Sequence, residues 1–190
     1  MKELLLEIQK CRICENFIEP RPVVFANKDS KIIIIGQAPG TKVHKSGIPW
    51  DDASGKQLRA WLGVTNEQFY NVTNFGIIPM GFCYPGKGKS GDLPPRKECA
   101  PKWHELLINK MQNVELVLLI GMYAQKYYLK EGAKKTLTET VNHYEEYLPK
   151  YFALPHPSPR NRFWLTKNPW FEKDILPELK KKVTKIISRS

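Results

Sequence analysis

A chain of 190 residues with 30 lysines and arginines against 19 aspartates and glutamates carries a formal net charge of +11. That length suits a single domain over residues 1–190 with a sizeable core, and the basic excess makes a polyanion the first partner to consider. The apolar run within Met1 to Lys10 is too short and too interrupted by charge for a secretory signal or a membrane span, and no later segment supplies either; a soluble, cytoplasmic protein with no membrane partner is expected.

Leu4, Leu5, Ile8 and Cys11 fall at helical spacing among charges, which predicts a short amphipathic helix over residues 2–12. Pro20 and Pro22 punctuate an irregular stretch before Ile32-Ile33-Ile34-Ile35, four β-branched residues in a row that suit a strand buried on both faces. Gly36-Gln37-Ala38-Pro39-Gly40 stops that strand, and Thr41 to Gly47 reads as a polar, basic loop. Ser54 is a candidate cap for a helix through Leu58, Trp61 and Leu62 that halts at Gly63. Tyr70 to Pro79 reads as a second strand centred on Ile77 and Ile78. The long stretch from Met80 to Pro95 is rich in glycine and proline, and loops of that length in a compact domain are usually functional or tied down. A helix over about Arg96–Met111, a strand over Val114–Ile120, a helix through Tyr123 and Tyr127, and a helix over Thr138–Leu148 follow. Tyr151–Leu154 is a fourth strand, then Pro155 to Asn161 a proline-rich loop, and the last 20 residues a basic helix around Ile175, Leu179, Val183 and Ile186. Four strands alternating with helices imply an α/β fold: a mostly parallel four-stranded sheet covered on both faces.

Three places carry candidate chemistry. A loop at the carboxyl end of a buried parallel strand lies where open α/β sheets bind ligands, though Gly36–Gly40 is also a plain strand-to-helix turn. Cys11 and Cys14 form a C-x2-C pair, and Cys83 and Cys99 bracket the long loop. Brought together they make a four-thiolate site for an iron–sulfur cluster or zinc; apart, they are four unrelated buried thiols. The absence of a second C-x2-C favours a cluster, whose task would be to clamp the N-terminal helix to the long loop. Three prolines within Pro155–Pro159 stiffen the backbone that presents His156, which can donate a hydrogen bond to a developing anion unless it is merely a surface histidine on a turn. Arg160 and Arg162 are then placed for phosphates or a duplex. Trp50 is core packing or a platform for a stacked base.

Together these pieces resemble the uracil-DNA glycosylase superfamily. Gly36-Gln37-Ala38-Pro39-Gly40 is similar to the first motif of its family 4, iron–sulfur class, which reads Gly-Glu-Ala-Pro-Gly. Trp50 stands where that class has an aromatic stacked on uracil, and Cys11, Cys14, Cys83 and Cys99 match its cluster ligands in order and spacing. Cys83-Tyr84-Pro85-Gly86 is similar to its Cys-Arg-Pro-Pro segment. His156-Pro157-Ser158-Pro159-Arg160-Asn161 is similar to the second motif of the single-strand-selective monofunctional uracil glycosylases.

The resemblance implies a three-layer α/β/α domain, a [4Fe-4S] cluster (zinc being the alternative), and DNA containing uracil or a related deaminated base as partner, acted on by a monomer. It implies His156 and Gln37 as catalytic residues, with His156 bonding the departing base anion. Gly36, Ala38, Pro39, Gly40, Trp50 and Asn74 would bind the base, while Arg160, Asn161 and Arg162 would bind DNA, Arg160 as the wedge. Two positions depart from family 4: Gln37 replaces its glutamate, leaving Asp51, Asp52 or His44 as substitutes, and Pro79 stands where it has a uracil-reading asparagine, with Asn74 the nearest replacement. A monofunctional glycosylase is therefore expected; the rivals are a DNA-binding member of the fold with weak or no catalysis, which Gln37 and Pro79 favour, and a nucleoside hydrolase, for which the charge excess would have no purpose.

Overall fold

A computed structural model describes residues 1–189 of the chain. At its centre is a sheet of β1 (Ile32–Ile35), β2 (Phe75–Ile77), β3 (Leu116–Ile120) and β4 (Tyr151–Leu154), in the order β2-β1-β3-β4 with every neighbouring pair parallel. Ile32 stands opposite Phe75 on one side and Leu116 on the other, and Ile34 opposite Ile77 and Leu118. Because side chains alternate along a strand, β1 feeds two cores. Ile32 and Ile34 join Phe75, Leu118 and Phe152 against Leu58 and Trp61 of α3 (Ala53–Leu62) and Leu179 and Val183 of α9 (Leu176–Ile187). Ile33 and Ile35 join Val117 and Leu119 against Leu4 and Ile8 of α1 (Lys2–Gln9), Ala124 of α6 (Met122–Leu129), Trp103 and Leu107. The result is a three-layer α/β/α fold.

All four isoleucines of β1 are fully buried. At about 1.5–3 kcal/mol each, their burial is of the same order as the net stability of a whole domain, so the point where β1 ends is firmly set. The chain passes from β1 to β2 on one side and then to β3 on the other, which makes the carboxyl end of β1 the place where the sheet changes direction.

Local chemistry shifts several boundaries from those the sequence predicts. Thr41–Ser46 is a short helix, α2, closed by Gly47 at φ 71, rather than a loop. Asp52, not Ser54, caps α3: its Oδ1 accepts from the Gly55 N–H at 2.8 Å. The second strand is shorter than Tyr70–Pro79 because Thr65 and Gln68 form a reciprocal capping box that starts α4 (Asn66–Tyr70). A π turn, Ala100–His104, runs into α5 (Glu105–Ile108), and α7 (Leu137–Asn142) gives way to a 3-10 turn at Tyr144–Tyr147. A further helix, α8 (Arg162–Lys167), follows the proline-rich loop. Among the described residues no helix is long and apolar enough to cross a membrane.

Candidate active site

The Gly36–Gly40 loop leaves the carboxyl end of β1 and is stitched to the chain beyond β2: Gly36 O accepts from the Met80 N–H at 2.9 Å and Gln37 O from the Gly81 N–H at 3.0 Å. Beside it opens a cavity of about 430 Å³. Gly36, Gln37, Ala38, Pro39 and Gly40 form one wall; Trp50, Asp52, Pro79, Asp92, His156, Arg160 and Asn161 contribute the others. Three segments far apart in sequence thus meet at one rim of the sheet.

Trp50 adopts φ 57, a left-handed conformation that bulky residues rarely take and that costs about 1–3 kcal/mol. Its surroundings impose it. Arg59 Nη1 donates to the Trp50 carbonyl at 3.2 Å, and the Tyr70 hydroxyl donates to the Pro49 carbonyl at 3.1 Å. Gly55 is required beneath, since a Cβ there would sit 1.7 Å from the Trp50 carbonyl oxygen; at Gly36 a Cβ would lie 2.8 Å from Trp50 Cζ2. The indole therefore packs directly on the end of β1, with its ring centroid 5.7 Å from that of His156.

His156 follows buried Pro155 and precedes buried Pro157. Asn161 Nδ2 donates to the His156 carbonyl at 2.7 Å, and Ser158 Oγ accepts from the Arg160 N–H at 3.2 Å, so the loop closes on itself. Burial holds the His156 titration below its ordinary value, while the Asp52 charge pulls the other way. A neutral imidazole still offers one N–H donor to the cavity.

Opposite this loop, Gly86–Leu93 forms a small hairpin, with the Gly88 N–H bonding Gly91 O at 2.6 Å and the Leu93 N–H bonding Gly86 O at 2.8 Å. The Arg160 guanidinium lies against Gly91, where a Cβ would meet Nη1 at 2.9 Å. Arg160 thus lines the cavity beside this hairpin. Arg162, exposed at the start of α8, does not line it, and next to it Phe163 is 83% exposed.

Asn74 requires a correction as a base-binding residue. It precedes β2, at the amino end of the sheet, and its Nδ2 donates to the Gln68 carbonyl at 3.0 Å. A parallel sheet puts the amino ends of its strands on the rim opposite the cavity, out of reach of a base held there. Two of the substitutes for a carboxylate at position 37 are also placed elsewhere. Asp51 pairs with Lys42 at 3.7 Å in a neighbouring groove, and His44 Nε2 faces Glu19 at 3.2 Å. Asp52 does line the cavity, with Oδ1 committed to capping α3.

Asp92 is a cavity carboxylate that the sequence barely signals. Its Oδ2 lies 3.6 Å from the point a Cβ on Gly40 would occupy, and its Oδ1 accepts from the Tyr84 hydroxyl at 3.3 Å. The available sign was the unusual length of the Met80–Pro95 loop, which places no particular residue.

Cys11, Cys14, Cys83 and Cys99 border a second cavity of about 20 Å³, closed by Ile18, Pro20, Pro22, Phe82 and Trp103. Burial pushes the Cys83 thiol up to about 11 and that of Cys99 up to about 12, and also raises Cys14. A donor nonetheless faces one sulfur, the Phe82 N–H reaching Cys99 Sγ at 3.5 Å, and the Arg21 backbone and Arg96 side chain draw the titrations of Cys83 and Cys14 back down. N–H donors in an otherwise apolar shell suit thiolate ligands, whose negative charge they offset. Among the described residues no three His, Cys, Asp or Glu side chains converge tightly enough to hold one metal ion. The sulfurs ring a void instead.

Comparison with known proteins falls on the same region. A family model described as the uracil DNA glycosylase superfamily matches residues 23–180. The type-4 uracil-DNA glycosylase of Thermotoga maritima is 26% identical over 170 residues, covering 83% of either chain.

Proposed function

The chain belongs to the uracil-DNA glycosylase superfamily, and from that premise we propose that it removes uracil or a related deaminated base from DNA by hydrolysing the N-glycosidic bond. The observation that carries the proposal is the shared cavity of Gln37, Trp50 and His156 at the carboxyl rim of the sheet. Cleavage of the bond between C1′ and N1 leaves the electron pair on the base and positive charge on the sugar. His156 donates its N–H to the carbonyl oxygen where negative charge collects, and in its neutral form it does so without protonating the base outright. The Trp50 indole, fixed against Gly36, supplies the face on which the flipped base stacks. Gln37 and the Gly36–Gly40 backbone orient the base.

Flipping a nucleotide costs a few kcal/mol. Arg160 at the cavity mouth fills the space that the base vacates, Asn161 shapes the loop that carries it, and Arg162 meets phosphate. Phe163 adds an exposed ring beside these cations. Cys11, Cys14, Cys83 and Cys99 would hold a [4Fe-4S] cluster, zinc being the alternative. A cubane spreads its ligands over four iron atoms, so a ring of thiols around a void favours the cluster over one ion. Bound there, it would tie the N-terminal segment to the loop that ends in the Gly86–Leu93 hairpin.

The test is release of free base from single- and double-stranded oligonucleotides containing uracil, hypoxanthine or xanthine, with a cluster-loaded preparation. Release from at least one is expected, and none above buffer from any of them refutes the proposal. Gln37 favours one rival, a DNA-binding member without catalysis, for which tight binding of uracil-containing DNA and no cleavage is the distinguishing outcome.

A further inference from the structure

We propose that Asp92 supplies the carboxylate that takes the proton from the attacking water, a role that the Gln37 amide cannot fill; this rests on the glycosylase reading above. Hydrolysis needs a group that accepts a proton and offsets positive charge at C1′, and an amide does neither at neutral pH. Three aspartates lie near the Gly36–Gly40 loop in space or in sequence. Asp51 is held by Lys42 in the neighbouring groove. Asp52 gives one oxygen to the α3 N-terminus and directs its charge towards His156. Asp92 lines the cavity, approaches Gly40, and takes part in none of the ion pairs among the described residues.

Its position also fits the order of parts in the substrate. The base enters deepest, against Trp50 and the end of β1, so C1′ stays nearer the mouth, where the Gly86–Leu93 hairpin carries Asp92. The Tyr84 hydroxyl donates to Oδ1 and so fixes the carboxylate, leaving Oδ2 turned towards Gly40. In the step, the C1′–N1 bond breaks with its electron pair going to N1. The water oxygen bonds C1′, and the water proton passes to the Asp92 carboxylate. Asp92 is exposed in the free chain, so the proton leaves to solvent once the DNA departs.

The experiment measures single-turnover base release and DNA affinity, on whichever base the wild-type protein removes, for wild type, Gln37→Glu, Asp92→Asn and Asp92→Asn/Gln37→Glu. Asp92→Asn should release base about 10²–10⁴-fold more slowly, with DNA affinity within about threefold. The double variant, which returns a carboxylate to the same cavity from the other wall, should recover at least about tenfold of that loss, the range of a restored general base. A purely structural Asp92 would leave Gln37→Glu raising the rate by the same factor with Asp92 present as with it replaced. A rate for Asp92→Asn within about threefold of wild type, or a loss that Gln37→Glu leaves unrelieved, overturns the inference while leaving the glycosylase reading standing; a wild-type protein inactive on every base overturns both.

Discussion

His104 makes the stability of this fold sensitive to mild acid. It is buried to 1% exposure at the end of the π turn, stacked on Phe82. A carbonyl only accepts, so Nε2 carries the hydrogen and donates to Pro79 O at 3.0 Å, leaving Nδ1 to accept from the Tyr128 hydroxyl at 2.6 Å. Burial lowers its titration from 6.5 to about 4. The unfolded chain therefore binds this proton before the folded one does: the contribution is full above 6.5 and drains away as pH falls towards 4. At 1.36 kcal/mol per pH unit the total is on the order of 3 kcal/mol, and most of it is gone by about pH 4.5. For a chain of this size the loss corresponds to roughly 5–10 °C in melting temperature. His104→Gln keeps an N–H donor for Pro79 but has no proton to bind. Melting both proteins at intervals from pH 7.5 to 4.5 isolates the histidine, because acid effects of the carboxylates are common to the two. The variant should begin less stable and lose less. Parallel curves for the two proteins would show that His104 takes up its proton as readily folded as unfolded, and the reasoning would fail.

Four further outcomes follow from the same geometry. His156→Ala should slow base release by about 10²–10³-fold, the range for loss of one donor to a developing anion, with DNA affinity nearly unchanged in a binding titration. Gly55→Ala should cost at least about 1–3 kcal/mol in denaturant unfolding, because its Cβ would meet the backbone of Trp50 rather than a side chain that can turn away, and should slow base release through the displaced indole. Phe163→Ala should weaken binding to single-stranded DNA by about 1–3 kcal/mol, the usual worth of a stacked base; an unchanged affinity would leave its exposure without a role. Cys83→Ser should abolish the brown colour and visible absorbance of the purified protein and lower its melting temperature, whereas a colourless wild type with stoichiometric zinc would replace the cluster with the alternative metal.

The parts of the fold legible in the sequence are those in which one kind of residue fills a whole element. Ile32–Ile35 and Tyr151–Leu154 occupy the predicted strand positions, because a strand buried on both faces has no room for polar residues. Boundaries set by competing side chains were harder to read. Ser54 and Asp52 are both good caps, and the choice between them depends on Gly55 lying under the Trp50 carbonyl, a contact between turns that no local pattern records. The site divides in the same way. Gln37 and His156 lie in loops that end predicted strands, so placing the strands places the loops at one rim. Asn74 sits before a strand rather than after one, and once β2 is seen to begin at Phe75 its distance from the cavity follows. Asp92 belongs to no element at all. Its position depends on the hairpin bonds between Gly86 and Leu93, which the sequence announces only as an excess of glycine and proline.

The same geometry gives an amide at position 37 a physical sense. A carboxylate offers only acceptors, whereas a primary amide offers donors and an acceptor on one planar group. Uracil presents carbonyl acceptors flanking an N–H donor, so an amide can meet two of its groups at once and a carboxylate cannot. At the same time Pro79 gives up any side-chain reading of the base, and its carbonyl is spoken for by His104. The cavity thus lacks a polar side chain at position 79, has an amide at Gln37, and has an acid at Asp92 on the facing hairpin. These three features suit one division of labour, in which Gln37 reads the base and Asp92 accepts the proton. On that division Gln37→Glu alone should broaden or weaken base choice more than it raises the rate, because wild type already has its carboxylate. A large rate gain with base preference intact would instead mean that the cavity still needs its acid at position 37.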